Sequence, residues 1–153
     1  MRRDKMNYNG KFLLDARIEL GYSREYVSEM IGMPVDRLVK IETNKVKYIH
    51  PADVKILAEF YEKPELHFYF CKHECALGEQ NRDVKLKDLG HIAIEAVNSL
   101  NKMSQIKDRL LDIAEDETVS LEEHEDFQNI RNTLEKIALA ADDLKLWCDK
   151  EKM

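Results

Sequence analysis

Apolar residues recur three and four positions apart along most of the chain, interrupted at a few glycines and prolines, and this period predicts an all-α protein. From Lys11 to Leu20 the residues Leu13, Leu14, Ile18 and Leu20 fit one helical stripe. Gly21 follows as the stop, since glycine takes a left-handed backbone at little cost. Ser23 stands where its hydroxyl can cap a second helix, with Val27, Met30 and Ile31 expected inward and Gly32 at its end. Pro34 falls in the first turn of a third helix, where a missing N–H does little harm; Leu38 and Ile41 lie on its buried side and Asn44 is its left-handed stop. Pro51 opens a fourth helix with Val54, Leu57, Ala58 and Tyr61 inward. Lys63-Pro64 breaks it before a short aromatic helix from Glu65 to about Cys75.

The character changes after Gly78. Glu79 to Asp83 is polar and reads as a linker, which divides the chain into an N-terminal domain, 1–78, and a C-terminal domain, 79–153. Two long helical patterns fill the second part. One places Leu89, Ile92, Ala96, Leu100, Met103, Ile106, Leu110 and Ile113 on a stripe. The other alternates spacings of three and four through Phe127, Ile130, Leu134, Ile137, Ala141, Leu144 and Cys148, the seam of a coiled coil or bundle. Ser120-Leu-Glu-Glu123 between them has capping-box spacing. The expected product is a helical hairpin. Two helices cannot shield both sides of stripes this wide, so the hairpin should pair with a copy of itself or fold back on the first domain, and the homodimer is preferred.

At 153 residues the chain can bury one good core, or two small units of which one leans on a partner. Three cysteines give no even-numbered disulfide framework, and the charged start MRRDKMNYNGKFLLD does not read as a signal peptide. No apolar run approaches the roughly 18 to 20 residues needed to cross a bilayer. The expectation is a soluble, cytoplasmic protein with reduced thiols. The net charge of −6 hides an asymmetry: residues 1–72 carry 13 Lys and Arg against 11 Asp and Glu, and residues 73–153 carry 11 against 19. Such a division is expected when one half meets a polyanion and the other is occupied with protein contacts.

The segment from Arg17 to Asn44 resembles the lambda-repressor-like, or Xre, helix-turn-helix family. The residues that carry the resemblance are the R-x-x-L-G-x-S pattern at Arg17, Leu20, Gly21 and Ser23, the turn glycine Gly32, and Ile41-Glu42 near the end of the third helix. With Pro51 and the fourth helix, it covers roughly Gly10 to Phe70. Physically, two short helices joined at a tight glycine turn hold the second rigidly outward, and the major groove accepts one helix. The resemblance implies double-stranded DNA as partner. It places Val35, Asp36, Arg37 and Lys40 at base-reading positions, and Arg24, Thr43, Lys45 and Lys47 at phosphate-contacting ones. It further implies an internal ion pair between Arg17 and Glu42.

Some positions depart from the family pattern. Where many relatives have Ser or Thr followed by Gln or Arg, this chain has Pro34-Val35-Asp36. Asp36 repels phosphates yet can accept from a cytosine amino group, and Val35 can touch a thymine methyl. The bland alternative is that Asp36 caps the third helix and favours its positive end.

Two further stretches invite a metal. Cys71 and Cys75 would share a face of a helix, but His73 points away from it, and His67 is eight residues, or about 12 Å, from Cys75. Small buried cysteines are the commoner outcome. Asp112, Asp116, Ser120 and Glu123 echo a calcium loop, but Ala114 and Glu117 stand at its third-ligand and glycine places, and a capping box explains Ser120 and Glu123 without an ion. Trp147 and the aromatics Phe60, Tyr61, Phe68, Tyr69 and Phe70 read as core or interface. No metal, cofactor or catalytic constellation is expected. The sequence therefore points to a homodimeric transcriptional regulator joined through its C-terminal hairpin and reading an inverted repeat. The rival is a protein-interaction module on the same scaffold, with a partner protein and weak or absent DNA binding.

Overall fold

The computed structural model describes residues 9–115 and 117–152, which contain helices and no strand. They separate into two compact units, the first ending at Val84 and the second starting at Lys85. The calcium-loop position Asp116 lies outside the described residues.

In the first unit α1 spans Lys11–Glu19, α2 Arg24–Ile31, α3 Val35–Glu42, α4 Pro51–Phe60 and α5 Glu65–Tyr69. The stops are where glycine and asparagine permit them: Gly21, Gly32 and Asn44 all have positive φ, at 70°, 68° and 58°. Ser23 accepts from the Tyr26 N–H at 3.1 Å and so caps α2. Asn44 also reaches back, its Oδ1 accepting from the Gly10 N–H at 2.7 Å. Gly10 is pressed against α3 here, and any Cβ on it would collide with the Ile41 carbonyl.

The core of this unit gathers Leu13, Val27, Leu38, Ile41, Val54 and Leu57, none more than 1% exposed, with Tyr61 and Phe70 around them. Two residues expected inward are not. Ile18 is 60% exposed and Met30 57%. Ala16 and Arg17 take the inward places on α1 and Val27 alone is buried on α2; Ile18, five residues after Leu13, lies about 140° around the helix from it. Pro34 does not lie within α3; it precedes the helix at the N-cap with an extended ψ of 134°. The fixed φ of proline suits both places.

The aromatic helix also differs from a plain α-helix. After Tyr69 it widens into a π-helical turn, Phe70–Glu74, and Cys75 is extended. The polar stretch beyond it is no simple linker. A 3₁₀ turn, Gly78–Gln80, brings Asn81 back so that its side-chain amide donates to the Cys71 carbonyl at 2.7 Å, and the Lys72 ammonium donates to the Asn81 carbonyl at 2.8 Å. A terminating helix leaves carbonyls unsatisfied, and these polar side chains meet one of them.

The second unit is the expected hairpin: α6 spans Leu89–Ala114 and α7 His124–Glu151. Asp88 caps α6, accepting from the His91 N–H at 2.8 Å. The capping box before α7 forms by half, with the Glu123 carboxylate accepting from the Ser120 N–H at 3.1 Å. The Ser120 hydroxyl turns to the same carboxylate instead of to the Glu123 N–H, and α7 begins at His124. Near this turn Arg109 on α6 donates to Asp126 at 2.7 Å. Along α7 the side chains turned to α6 are centred on Ile130, Thr133 and Ala140, so the stripe read from the sequence divides. Ile130 is buried and Phe127 and Ile137 are half-buried, while Leu134, Ala141 and Leu144 face outward.

Candidate nucleic-acid interface

The third helix is fixed from behind by a buried carboxylate. Glu42 has a fully buried side chain at the end of α3. Arg17 on α1 grips it with two parallel bonds, Nε to Oε1 at 2.6 Å and Nη2 to Oε2 at 2.8 Å, and donates from Nη1 to the Tyr22 carbonyl at 2.7 Å. Arg24 at the start of α2 adds a third bond, Nε to Oε2 at 2.7 Å. All three helices meet at one carboxylate. The bidentate fork fixes orientation as well as distance, and the hydrogen bond to Glu42 raises the Arg17 pKa beyond its already high value, so the guanidinium stays charged. Burial, and then the Glu42 charge, push the Tyr61 hydroxyl beside it far up, so it remains protonated.

The turn between α2 and α3 is closed by the Ser28 hydroxyl donating to the Met33 carbonyl across Gly32. The backbone N–H groups of Arg37 and Leu38 are satisfied by the Pro34 carbonyl, at 2.9 and 3.2 Å, with no side-chain cap. Asp36 therefore does not cap α3. It lies inside the first turn, exposed, where a carboxylate still favours the positive end of the helix.

The positions implied by the resemblance fall into two groups. Asp36, Lys40, Lys45 and Lys47 are exposed with no ion-pair partner among the described residues, and Val35 is half-buried beside them. Arg24, Arg37 and Thr43 are engaged within the chain. Arg37 makes a two-point contact with Asp53 on α4, Nη2 to Oδ2 at 2.6 Å and Nε to Oδ1 at 3.2 Å. The hydrogen bonds to Asp53 raise its pKa. A guanidinium has five donors, so three remain on a side chain that is 51% exposed. The Thr43 hydroxyl donates to the Val39 carbonyl one turn back at 2.7 Å. Sequence reading missed Asp53, which looked like an ordinary first-turn acid on α4. Its partner is sixteen residues away, and no local signal identifies it.

Three short helices, a left-handed glycine turn and a third helix anchored at its rear with its polar face outward define a helix-turn-helix DNA-binding domain. Residues 13–68 match the family model described as Helix-turn-helix, of the lambda-repressor-like kind. That family is one of DNA-binding regulatory domains. The match ends before α6. No curated protein and no solved structure matches the chain. Among the described residues no three His, Cys, Asp or Glu side chains are grouped to hold a metal ion, and no helix is long and apolar enough to cross a membrane.

Proposed function

We propose that the protein is a sequence-specific transcriptional regulator that binds double-stranded DNA as a homodimer on an inverted repeat. The observation that carries this reading is the division of α3 into an anchored rear and an open front. Leu38, Ile41 and Glu42 lock it to α1 and α2, while Asp36, Arg37 and Lys40 stay exposed, and Lys45 and Lys47 extend the cationic run past its end. In this reading Lys45 and Lys47 meet phosphates and fix register, and Val35, Asp36, Arg37 and Lys40 address base edges. Arg24, with one internal bond, contributes its remaining donors to phosphate, and the Thr43 hydroxyl does so by turning from the Val39 carbonyl. The protein is not an enzyme and works in the cytoplasm.

Dimerisation is supported by the apolar side chains that the hairpin leaves outward: Leu134, Ala141 and Leu144 on α7, and Val97 and Leu100 on α6. One small head makes few base contacts, and joining two multiplies affinity through effective concentration. A rotational pair of heads matches a DNA site with the same symmetry.

A second reading, an interaction module that binds a partner protein, is favoured by two observations. Arg24 and Arg37 are already tied to carboxylates, and the unpaired Asp36 opposes phosphate. Selection of bound fragments from random DNA, followed by titration across salt concentrations, separates the two. A regulator gives an enriched palindromic sequence and a log K that falls steeply with log salt, and Lys45→Ala and Lys47→Ala each flatten that slope by about one unit. Failure to enrich any sequence at low salt, together with a protein co-purifying stoichiometrically, would overturn the DNA reading.

A further inference from the structure

Part of the hairpin seam is not filled. Where Ser99 on α6 meets Thr133 and Ala140 on α7, the side chains are too small to close the space between the helices. A groove of about 470 Å³ opens there, lined also by Asn98, Lys102 and Lys136. Small-molecule pockets run from about 300 to 1,000 Å³.

Two features show that this groove is more than a packing gap. The first is Ser99. A serine or threonine within a helix commonly returns its hydroxyl to the carbonyl one turn back, as Thr133 does to Asn129 at 2.9 Å. Ser99 is only 8% exposed, yet its hydroxyl has no hydrogen-bond partner among the described residues, and it borders the groove. The part of Ser99 that stays accessible includes its oxygen, so the hydroxyl faces the groove and is open to a group not supplied by the chain.

The second is charge. Lys102 and Lys136 flank the groove from opposite helices with no ion-pair partner among the described residues. The one acid on its wall, Glu95, is already held by Lys87 at 2.7 Å and approached by His91 at 3.1 Å. Because the helices run antiparallel, the two lysines sit toward the Ser99–Thr133 end, and Ala140 and Leu139 toward the other. The groove thus has an uncompensated cationic end, and an end where Ala140 and Leu139 face the already paired Glu95.

We propose that this groove binds a small amphipathic carboxylate. Its apolar body lies on Ala140 and Leu139, and its carboxylate sits between the Lys102 and Lys136 ammonium groups and accepts from the Ser99 hydroxyl. A second copy of the chain is the competing occupant, and the helical wheel argues against it. Lys102 and Leu100 are two positions apart, as are Lys136 and Leu134, which is about 200° around a helix. Leu100 and Leu134 therefore face away from the two groove lysines, and a copy docked on them leaves the groove open. Binding here does not depend on whether the head reads DNA.

The test is a titration of the full-length ¹⁵N-labelled protein with octanoate and with 2-naphthoate, using octan-1-ol as the uncharged arm. The expected result is saturable shifts at the amides of Ser99, Lys102, Thr133 and Lys136 with at least one carboxylate, and binding at least tenfold weaker for octan-1-ol. Lys102→Ala with Lys136→Ala should weaken carboxylate binding at least tenfold and leave octan-1-ol within twofold. Ser99→Leu fills the groove and should abolish binding with helicity unchanged by circular dichroism. Shifts confined to Val97, Leu100 and Leu134, no saturable binding of either carboxylate, or unchanged affinity in the double-lysine variant would overturn the proposal. So would a change of oligomeric state in Ser99→Leu, which would assign the groove to a second copy.

Discussion

The two units solve the burial problem in opposite ways. In the head, five short helices enclose a set of aliphatic side chains from every side, and each charged residue that is buried as a whole has a partner. Glu42 holds Arg17 and Arg24, Asp53 holds Arg37, and Glu74 accepts from the Asn9 N–H at 2.7 Å; the half-buried Glu65 is the exception, with one enclosed oxygen that accepts no hydrogen bond. In the hairpin the arrangement is partly inverted. Ser99, Thr133 and Asp143 are buried, while Val97 and Leu100 remain 54% and 55% exposed. Two helices offer each other only one stripe apiece, and any further apolar stripe is left over. The head is finished by its own chain. The hairpin carries apolar surface beyond what its own fold covers, and surface of that kind marks a contact to be made.

The largest effect should come from the head. Glu42→Ala leaves the Arg17 guanidinium buried beside a void, and the loss of a buried ion-pair partner costs about 3–5 kcal/mol. Urea unfolding should show this as a lower midpoint that is nearly independent of protein concentration and of added salt, because the pair is shielded from both. Glu42→Gln, which keeps shape and one acceptor, should lose less. A cost below about 1 kcal/mol for Glu42→Ala would mean that the carboxylate does not join the three helices in solution.

The hairpin should respond differently. Leu134→Glu with Leu144→Glu puts charge on the outward stripe and leaves Ile130, Thr133 and Ala140 untouched. Light scattering should then report a monomer where the parent is a dimer. Affinity for a selected palindrome should fall by about 10²-fold, the lower end of what linking two sites supplies, while the head keeps its fold. A parent that is already monomeric, or a double variant that still dimerises, removes the stripe as the interface.

How far the sequence revealed this contrast follows from the range of each interaction. Stops and caps at Gly21, Ser23, Gly32, Asn44 and Pro51 are local, because a positive φ or a reachable N–H is set within a few residues, and these were legible. The ion pair of Arg17 and Glu42 could be placed only through family resemblance, since its partners are 25 residues apart. Arg24 was expected at phosphate and Arg37 at a base, and nothing in their local spacing shows that Glu42 and Asp53 bind them from other helices. In the hairpin the heptad period announced an apolar stripe correctly, but period alone does not say which residues face α6. Thr133, Ala140 and Asp143 were invisible to a count of large apolar side chains, although they occupy buried positions. The division of α7 into an inner and an outer stripe depends on the orientation of the whole helix, a tertiary quantity.

The smallest effect concerns the charges at the open end of the hairpin. Lys87 lies between Glu95 and the buried Asp143, at 2.7 and 2.9 Å; at Asp143 the oxygen is poorly aligned for a hydrogen bond, so that contact is chiefly an ion pair. The contact with Asp143 and then the hydrogen bond to Glu95 raise the Lys87 pKa, and the hydrogen bond from Lys87 lowers that of Glu95 below its ordinary 4.5. A depressed carboxylate contributes its full stabilisation above the unfolded value and loses it as pH falls through the folded one. Glu95→Gln should therefore cost the hairpin about 0.5 kcal/mol at pH 7, within the range for exposed pairs. The difference from the parent should vanish as pH falls from 7 to well below 4.5, and it should shrink in 1 M salt, where the Debye length is about 3 Å. The Glu42 effect should persist through that salt change, because no counterion reaches a fully buried carboxylate. If Glu95→Gln costs the same at both pH values, the contact stabilises through packing, and the contrast between a shielded charge in the head and a solvated one on the hairpin fails at this point.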